Sequence, residues 1–136
     1  MGTWGTGTFE NDTACDWAGD LEAAADLSPV VEALTRVIAV GDGYLDADLG
    51  CEALAACEVV ARLKGNWGVR DAYTETLDAW VREHATPPSA ELVSQALAAI
   101  DRIVKAPSEL PELWDESDEK EGWDAAVADL RTRVAG

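Results

Sequence analysis

Four acidic residues lie close together in the first half of the chain, and their carboxylates have the chemistry of a divalent-cation site. Carboxylate oxygens are the ligands that Ca²⁺ and Mg²⁺ prefer in proteins. The spacing does not match an EF-hand loop, so a solvated acidic face at the start of a helix is the simpler interpretation. The candidate metal ligands are Asp42, Asp46, Asp48 and Glu52.

Two other groups of acidic residues are candidates for binding a basic partner. Asp12, Asp16 and Asp20 recur at four-residue intervals, so a helix would align them along one ridge. No basic residue on the same predicted helix offsets the second and third of them. The other group is a dense acidic strip that follows Trp114, and its candidates are Asp115, Glu116 and Asp118.

One carboxylate, Glu58, occurs among apolar neighbours, with Arg62 four residues later. An ion pair within one helix is the simplest interpretation. A buried catalytic carboxylate would also need a second acid or base close to it. The sequence does not identify such a group.

The cysteines and the single histidine do not form a recognisable site. Three cysteines suit a reducing compartment better than a disulfide framework, so we expect a cytoplasmic location. Cys51 and Cys57 are six residues apart on a predicted helix, which places them on roughly opposite faces. His84 falls in the last turn of another predicted helix, where the partial negative charge of the helix end favours a structural role. No motif for a hydrolase, a metalloprotease, a nucleotide-binding loop or a cofactor is present, and this favours a non-enzymatic protein.

The composition limits the class of protein and its partners. The chain has 136 residues, 27 acidic against 10 basic, and a net charge of −17. Its hydrophobic fraction of 48% predicts one folded domain rather than an acidic disordered tail. The charge argues against binding nucleic acid or anionic lipid, and no apolar run is long enough to span a bilayer. Residues 1–61 contain twelve acidic residues and one basic residue, Arg36.

Helical periodicity and helix-breaking residues predict an all-α, single-domain bundle of five to six helices. An extended N-terminal arm is expected over residues 1–11, and an acidic loop over 106–121, with a short turn at 109–114. The segment 46–64 is apolar on most sides and should be the central, most buried helix. The other segments with helical periodicity are 13–27, a helix that starts at Ser28, 71–84, 89–105 and 122–134.

The N-terminal segment carries the sharpest motif, in which glycines alternate with large aromatic residues before a helix. The simplest interpretation is an extended arm that docks on the helices. A phosphate cradle, an N-terminal lipidation signal and a partner-binding arm are alternatives, although acids around the helix start disfavour the first. The motif residues are Trp4, Gly5, Gly7, Phe9, Asn11, Asp12, Asp16 and Trp17.

This motif resembles that of a family of small bacterial proteins known only as a domain of unknown function. Its members open with Met-Gly and continue with Trp-Gly-x-Gly-x-Phe, an acidic residue or Asn, and Asn-Asp. The alanine-rich stretch from Glu52 to Glu58 and the stretch from Glu91 to Arg102 are also similar in character. The resemblance implies a helical fold and a bacterial cytoplasm, and it implies no activity.

Two classes of function therefore remain as hypotheses from the sequence. The first is a non-enzymatic interaction module that presents an acidic face to a basic protein, as an immunity protein or a nucleic-acid mimic would. The alternative is a small-ligand or divalent-metal-binding protein, or an enzyme, that uses carboxylates. The acid excess would also fit a salt-adapted proteome.

Overall fold

The computed structural model describes Thr3 and residues 5–136, and the regular structure in this part of the chain is all-α, without a β-strand. Two isolated bridges, Thr3 with Asn11 and Leu45 with Ser108, are its only β-type pairings. None of the described helices is long and apolar enough to cross a membrane. The seven helices found in this part of the chain are α1 (Asp12–Glu22), α2 (Ser28–Ala39), α3 (Ala47–Leu63), α4 (Glu75–Glu83), α5 (Ala90–Ile103), α6 (Glu109–Asp115) and α7 (Lys120–Ala135).

The central position of α3 is confirmed, because all the other helices pack against it or against its neighbours. Its residues from Ala53 to Arg62 are all buried, which follows from a sequence that is apolar on most sides. Helices α1, α2, α4, α5 and α7 surround it. A core of this kind stabilises the fold mainly by removing apolar surface from water.

Side-chain caps fix where three of the helices begin. Asn11 accepts a hydrogen bond from the backbone N–H of Ala14 at 2.8 Å, and Asp46 accepts one from Leu49 at 3.0 Å. Ser89 caps α5 in the same way. These oxygens satisfy N–H groups that have no partner within the helix.

The predicted count of five to six helices is too low, because the segment 106–121 is not a loop throughout. It contains α6, which is anchored by the buried side chain of Leu110. A Cβ atom on Gly50 would lie 2.6 Å from Leu110 Cδ1, so the glycine allows α6 to approach α3 closely. Trp114 also stacks on Trp123 of α7, with 6.4 Å between ring centroids.

Two predicted helices are shorter in the structure. Helix α1 ends at Glu22, and a turn leads to Asp26, whose carboxylate accepts the backbone N–H of Ser28. Helix α4 begins at Glu75 because the preceding residues form a separate turn, in which the Thr74 hydroxyl accepts the N–H of Asp71 at 3.0 Å. In the segment after α1 and in the segment before α4, hydrogen bonds from short polar side chains to the nearby backbone compete with helix formation.

Candidate functional site

The most concentrated polar chemistry in the described residues is an ion cluster, which we define as Glu58 and Arg62 of α3, Asp78 of α4 and Arg133 of α7. Each of the first three residues is at most 6% exposed. Arg62 forms an ion pair with Glu58 and donates through Nε to Asp78 at 2.8 Å. Arg133 donates to both oxygens of Glu58, at 2.7 and 3.0 Å. The predicted i, i+4 ion pair on α3 is therefore part of a larger network.

The local sequence explains how the cluster is assembled. Glu58 and Arg62 share one face of α3, since they are four residues apart. Gly65, with φ +87, ends the helix and turns the chain into a loop. A Cβ atom on Gly68 of this loop would lie 2.7 Å from the guanidinium of Arg133, so the glycine allows the loop to approach α7.

The described part of the N-terminal arm covers the cluster. The hydroxyl of Thr8 donates to Glu58 Oε2 at 3.2 Å. The ring of Phe9 is 4% exposed and lies 6.0 Å from the guanidinium carbon of Arg62. Gly7 donates its backbone N–H to Glu10, which also fills the space where a Cβ of Gly5 would lie. Trp4 of the motif lies outside the described residues.

A cavity of about 170 Å³ lies between the arm, the loop before α4 and α7, next to the cluster. Carboxylates and guanidinium groups both line it, and Glu58, the buried carboxylate among them, is fully hydrogen-bonded. Glu58 accepts four bonds, from Arg62, Arg133 and Thr8, which fills the lone-pair sites of a carboxylate. No buried side-chain nitrogen or oxygen in the described chain lacks a partner. In this arrangement Glu58 has no site left to accept a proton from a substrate.

The acidic ridge predicted on α1 is exposed. Asp12, Asp16 and Asp20 all face solvent, and no ion pair between described residues involves any of them. The hydroxyl of Thr13 on the same helix donates to Asp48 of α3 at 3.1 Å, so this ridge lies beside the start of α3.

The acidic ridge on α1 and the acidic residues at the start of α3 are separate in the sequence but close together in the structure, since Thr13 contacts Asp48. Burial raises the pKa of Glu52, which Arg36 lowers in part. Asp48, Asp46 and Asp20 raise the same pKa further through their negative charge, although Asp20 is on a different helix. We define these residues as the acidic face: Asp12, Asp16, Asp20, Asp46, Asp48 and Glu52.

The four candidate metal ligands do not form a recognisable cation site. Asp46 is occupied as the N-cap of α3, and Asp48 accepts the hydrogen bond from Thr13. Asp42 is exposed in the turn after α2. Within the residues that can be described, no group of three or more His, Cys, Asp or Glu side chains is placed to hold a metal ion. The metal interpretation stays a prediction from the sequence.

The second group of candidate partner-binding residues is also exposed, but its negative charge is partly neutralised. Asp115 ends α6, and Glu116 and Asp118 lie in the turn before α7. Lys120 lies 3.6 Å from Asp115 and 2.8 Å from Asp124. This strip therefore has a cation next to it, unlike the ridge on α1.

The contacts of the three cysteines and of His84 are typical of residues with a structural role. Burial raises the pKa of Cys51 to about 12 and that of Cys57 further, so neither thiol is activated. Burial also raises the pKa of Cys15, whose Sγ contacts the backbone oxygen of Phe9. His84 stacks on Trp80 with 4.1 Å between ring centroids, and its Nδ1 is 2.8 Å from the carbonyl oxygen of that residue.

Sequence reasoning missed half of the ion cluster. Asp78 and Arg133 are 16 and 75 residues away from the α3 residues that they contact. No spacing rule connects them, because the contacts depend on how α4 and α7 pack against α3. The only signal in the sequence was a charged pair inside an apolar helix.

Comparison with known proteins assigns the chain to a family. The family described as "Domain of unknown function (DUF4259)" matches residues 2–126, so the protein belongs to this family. The match includes the arm and three members of the ion cluster, whereas Arg133 lies beyond it. No curated protein matches the chain, and no solved structure does.

Proposed function

We propose that the protein is a non-enzymatic interaction module whose acidic face binds a basic partner protein. The observation that carries the proposal is that Thr13 of α1 donates to Asp48 of α3 at 3.1 Å, which places the exposed acids of α1 beside those at the start of α3. The raised pKa of Glu52, to which Asp20 contributes, agrees with this placement. Arg36 is a base beside these acids, with Nη1 3.9 Å from Glu52 Oε1. Like charges held together are unfavourable in the free protein, and a cationic partner relieves that repulsion.

The ion cluster supports this proposal by a different route. Its charges are paired with each other, so they hold the arm, α3, α4 and α7 together. Asp48 and Glu52 of the acidic face lie on α3, which the cluster anchors, and a preordered surface loses less entropy on binding. The three free cysteines fit the cytoplasmic location that forms part of the proposal.

Capture of proteins from a cell extract by variants of equal net charge tests the proposal. The test variant is Asp16→Asn/Asp20→Asn, and the control is Glu83→Gln/Glu91→Gln, which removes two exposed charges from α4 and α5. We expect the wild-type chain and the control to retain the same basic protein at low salt, and high salt to release it. The test variant should retain less of that protein than the control does. Equal retention by both variants would show that total charge, rather than this face, attracts the partner.

A further inference from the structure

Trp67 lies among three arginine side chains in a protein that is otherwise strongly acidic. The guanidinium carbons of Arg62, Arg70 and Arg82 lie 5.7, 5.4 and 5.7 Å from the centroid of its ring. These distances are within the range of cation–π attraction. Arg62 is buried and belongs to the ion cluster, whereas Arg70 and Arg82 are exposed.

The two exposed guanidinium groups have hydrogen-bonding capacity that the described part of the chain does not use. Neither Arg70 nor Arg82 makes an ion pair or a hydrogen bond within it, although the protein has 27 acidic residues. In contrast, exposed Arg131 pairs with Asp101 through two hydrogen bonds. Contact with Trp67 places the two guanidinium groups beside one ring, and no described residue accepts a hydrogen bond from their N–H donors.

The loop that carries Trp67 and Arg70 is held at several points. The backbone N–H of Asn66 donates to Ala61 at 2.9 Å, and its side chain donates to the carbonyl of Arg133 at 2.8 Å. Arg62 donates to the carbonyl of Val69 at 2.6 Å. A ligand would therefore meet a preformed surface, which lowers the entropic cost of binding.

Two exposed side chains with apolar surface, Val69 and Tyr73, flank Arg70 in the sequence between α3 and α4. Val69 is 73% exposed, and Tyr73 is 49% exposed. Tryptophan, tyrosine and arginine are the residue types most enriched where protein interfaces gain their binding energy. We define the Trp67 surface by these side chains: Trp67, Val69, Arg70, Tyr73 and Arg82.

We propose that the Trp67 surface binds an acidic peptide segment of a partner protein, in which carboxylates alternate with apolar residues. A guanidinium group matches a carboxylate in geometry and charge, and Val69 offers apolar contact beside it. This inference does not depend on the proposed function, because it uses no residue of the acidic face.

Charge disfavours the other occupants of this surface. Nucleic acid gains affinity from many phosphate contacts, and two guanidinium groups cannot offset a net charge of −17. A second copy of the chain carries the full net charge of −17, so association of two copies is opposed by repulsion, whereas a short peptide with a few carboxylates adds little long-range repulsion and meets the guanidinium groups directly. A small oxyanion would engage the arginines and leave Val69 exposed.

Selection from a random-peptide display library against the intact protein tests the inference. We expect the enriched peptides to contain Asp or Glu next to apolar residues. The variant Arg70→Ala/Arg82→Ala should weaken their binding by about tenfold or more, since charge-assisted hydrogen bonds to a carboxylate are lost. The control Lys105→Ala/Arg131→Ala, which also removes two exposed positive charges, should bind as the wild-type protein does, and the thermal unfolding of each variant verifies that it is folded.

Competition distinguishes the possible ligands. Inorganic phosphate and a single-stranded oligonucleotide are added separately to the selected peptide and the protein. The inference is supported if neither displaces the peptide at equal concentration. Displacement by phosphate would assign the surface to small oxyanions, and displacement by the oligonucleotide would assign it to nucleic acid. Peptides without acidic residues, or peptides that bind the double variant equally well, would overturn it.

Discussion

Arg133 of α7 donates hydrogen bonds to both carboxylate oxygens of Glu58 on α3, which is 75 residues earlier in the sequence. The contact joins a helix near one end of the described chain to the buried centre of the bundle. Thr8 of the arm donates to the same carboxylate. A single carboxylate thus links three segments that are far apart in the sequence.

Replacing Arg62 by Met should destabilise the fold strongly. The arginine side chain is 1% exposed and pairs with Glu58 and Asp78, so its loss leaves buried negative charge uncompensated. We expect the free energy of unfolding to fall by about 3–5 kcal/mol. Urea unfolding measures the change. The surface control Arg131→Met removes an exposed ion pair and should cost about 0–1 kcal/mol. Equal losses in the two variants would contradict a buried role for Arg62.

The arm should contribute to stability through Phe9. Its ring is 4% exposed, so Phe9→Ala should lower the free energy of unfolding by about 3–5 kcal/mol. Leu113→Ala, at a side chain that is 49% exposed, should change it by about 0.5 kcal/mol or less. Urea unfolding compares the two, and limited proteolysis reports whether the arm is cleaved first in Phe9→Ala. An unchanged stability in that variant would mean that the arm does not pack on the bundle in solution.

Two helical glycines should respond in opposite directions to alanine. A Cβ at Gly19 meets no atom within 4 Å, so Gly19→Ala should stabilise the protein by about 0.5–1 kcal/mol. A Cβ at Gly50 would lie 2.6 Å from Leu110, so Gly50→Ala should destabilise it by about 1–3 kcal/mol. Thermal unfolding of the two variants shows whether each substitution raises or lowers the stability of the protein. A stabilising Gly50→Ala would show that α6 does not pack closely on α3.

The free energy of unfolding should depend on pH through the side chain of Glu52 on the acidic face. Burial and the surrounding acids raise its pKa above the ordinary value. A carboxyl whose pKa is raised on folding favours the folded state at low pH, and that contribution is lost as the pH rises through the raised pKa. We expect Glu52→Gln to be more stable than the wild-type protein at neutral pH.

The same comparison at acid pH provides the internal control. The difference between Glu52→Gln and the wild-type chain should disappear below the ordinary pKa of a glutamate, where the side chain is protonated in both the folded and the unfolded state. Urea unfolding at a series of pH values measures it. A wild-type chain that is the more stable of the two at neutral pH would mean that Arg36 dominates over the acids near Glu52.

Local patterns predicted most of the helices but few of the contacts between them. The apolar character of the segment around Ala55 was sufficient to identify the central helix. Helix α6 was predicted only as a short turn, because seven residues that include Pro111 carry too little periodicity. Its position depends on Gly50 and Leu110, which are far apart in the sequence.

For the candidate surfaces, too, the sequence predicted features within one helix but not contacts between helices. The spacing of Asp12, Asp16 and Asp20 was enough to predict a common ridge, and all three are exposed. Their closeness to Glu52 results from the packing of α1 on α3, which sequence spacing does not reveal. Trp67 lies between the predicted helices 46–64 and 71–84, and the sequence gives no sign of its contact with Arg82, which reaches it from a separate helix.

The long-range contacts of Glu58 have a consequence for synthesis on the ribosome. Translation produces α3 well before α7, so a nascent chain holds the Glu58 carboxylate without Arg133 until α7 has emerged. Contacts between residues that are distant in sequence form late and slow the search for the native topology. The bundle can therefore complete its ionic centre only after α7 has been made.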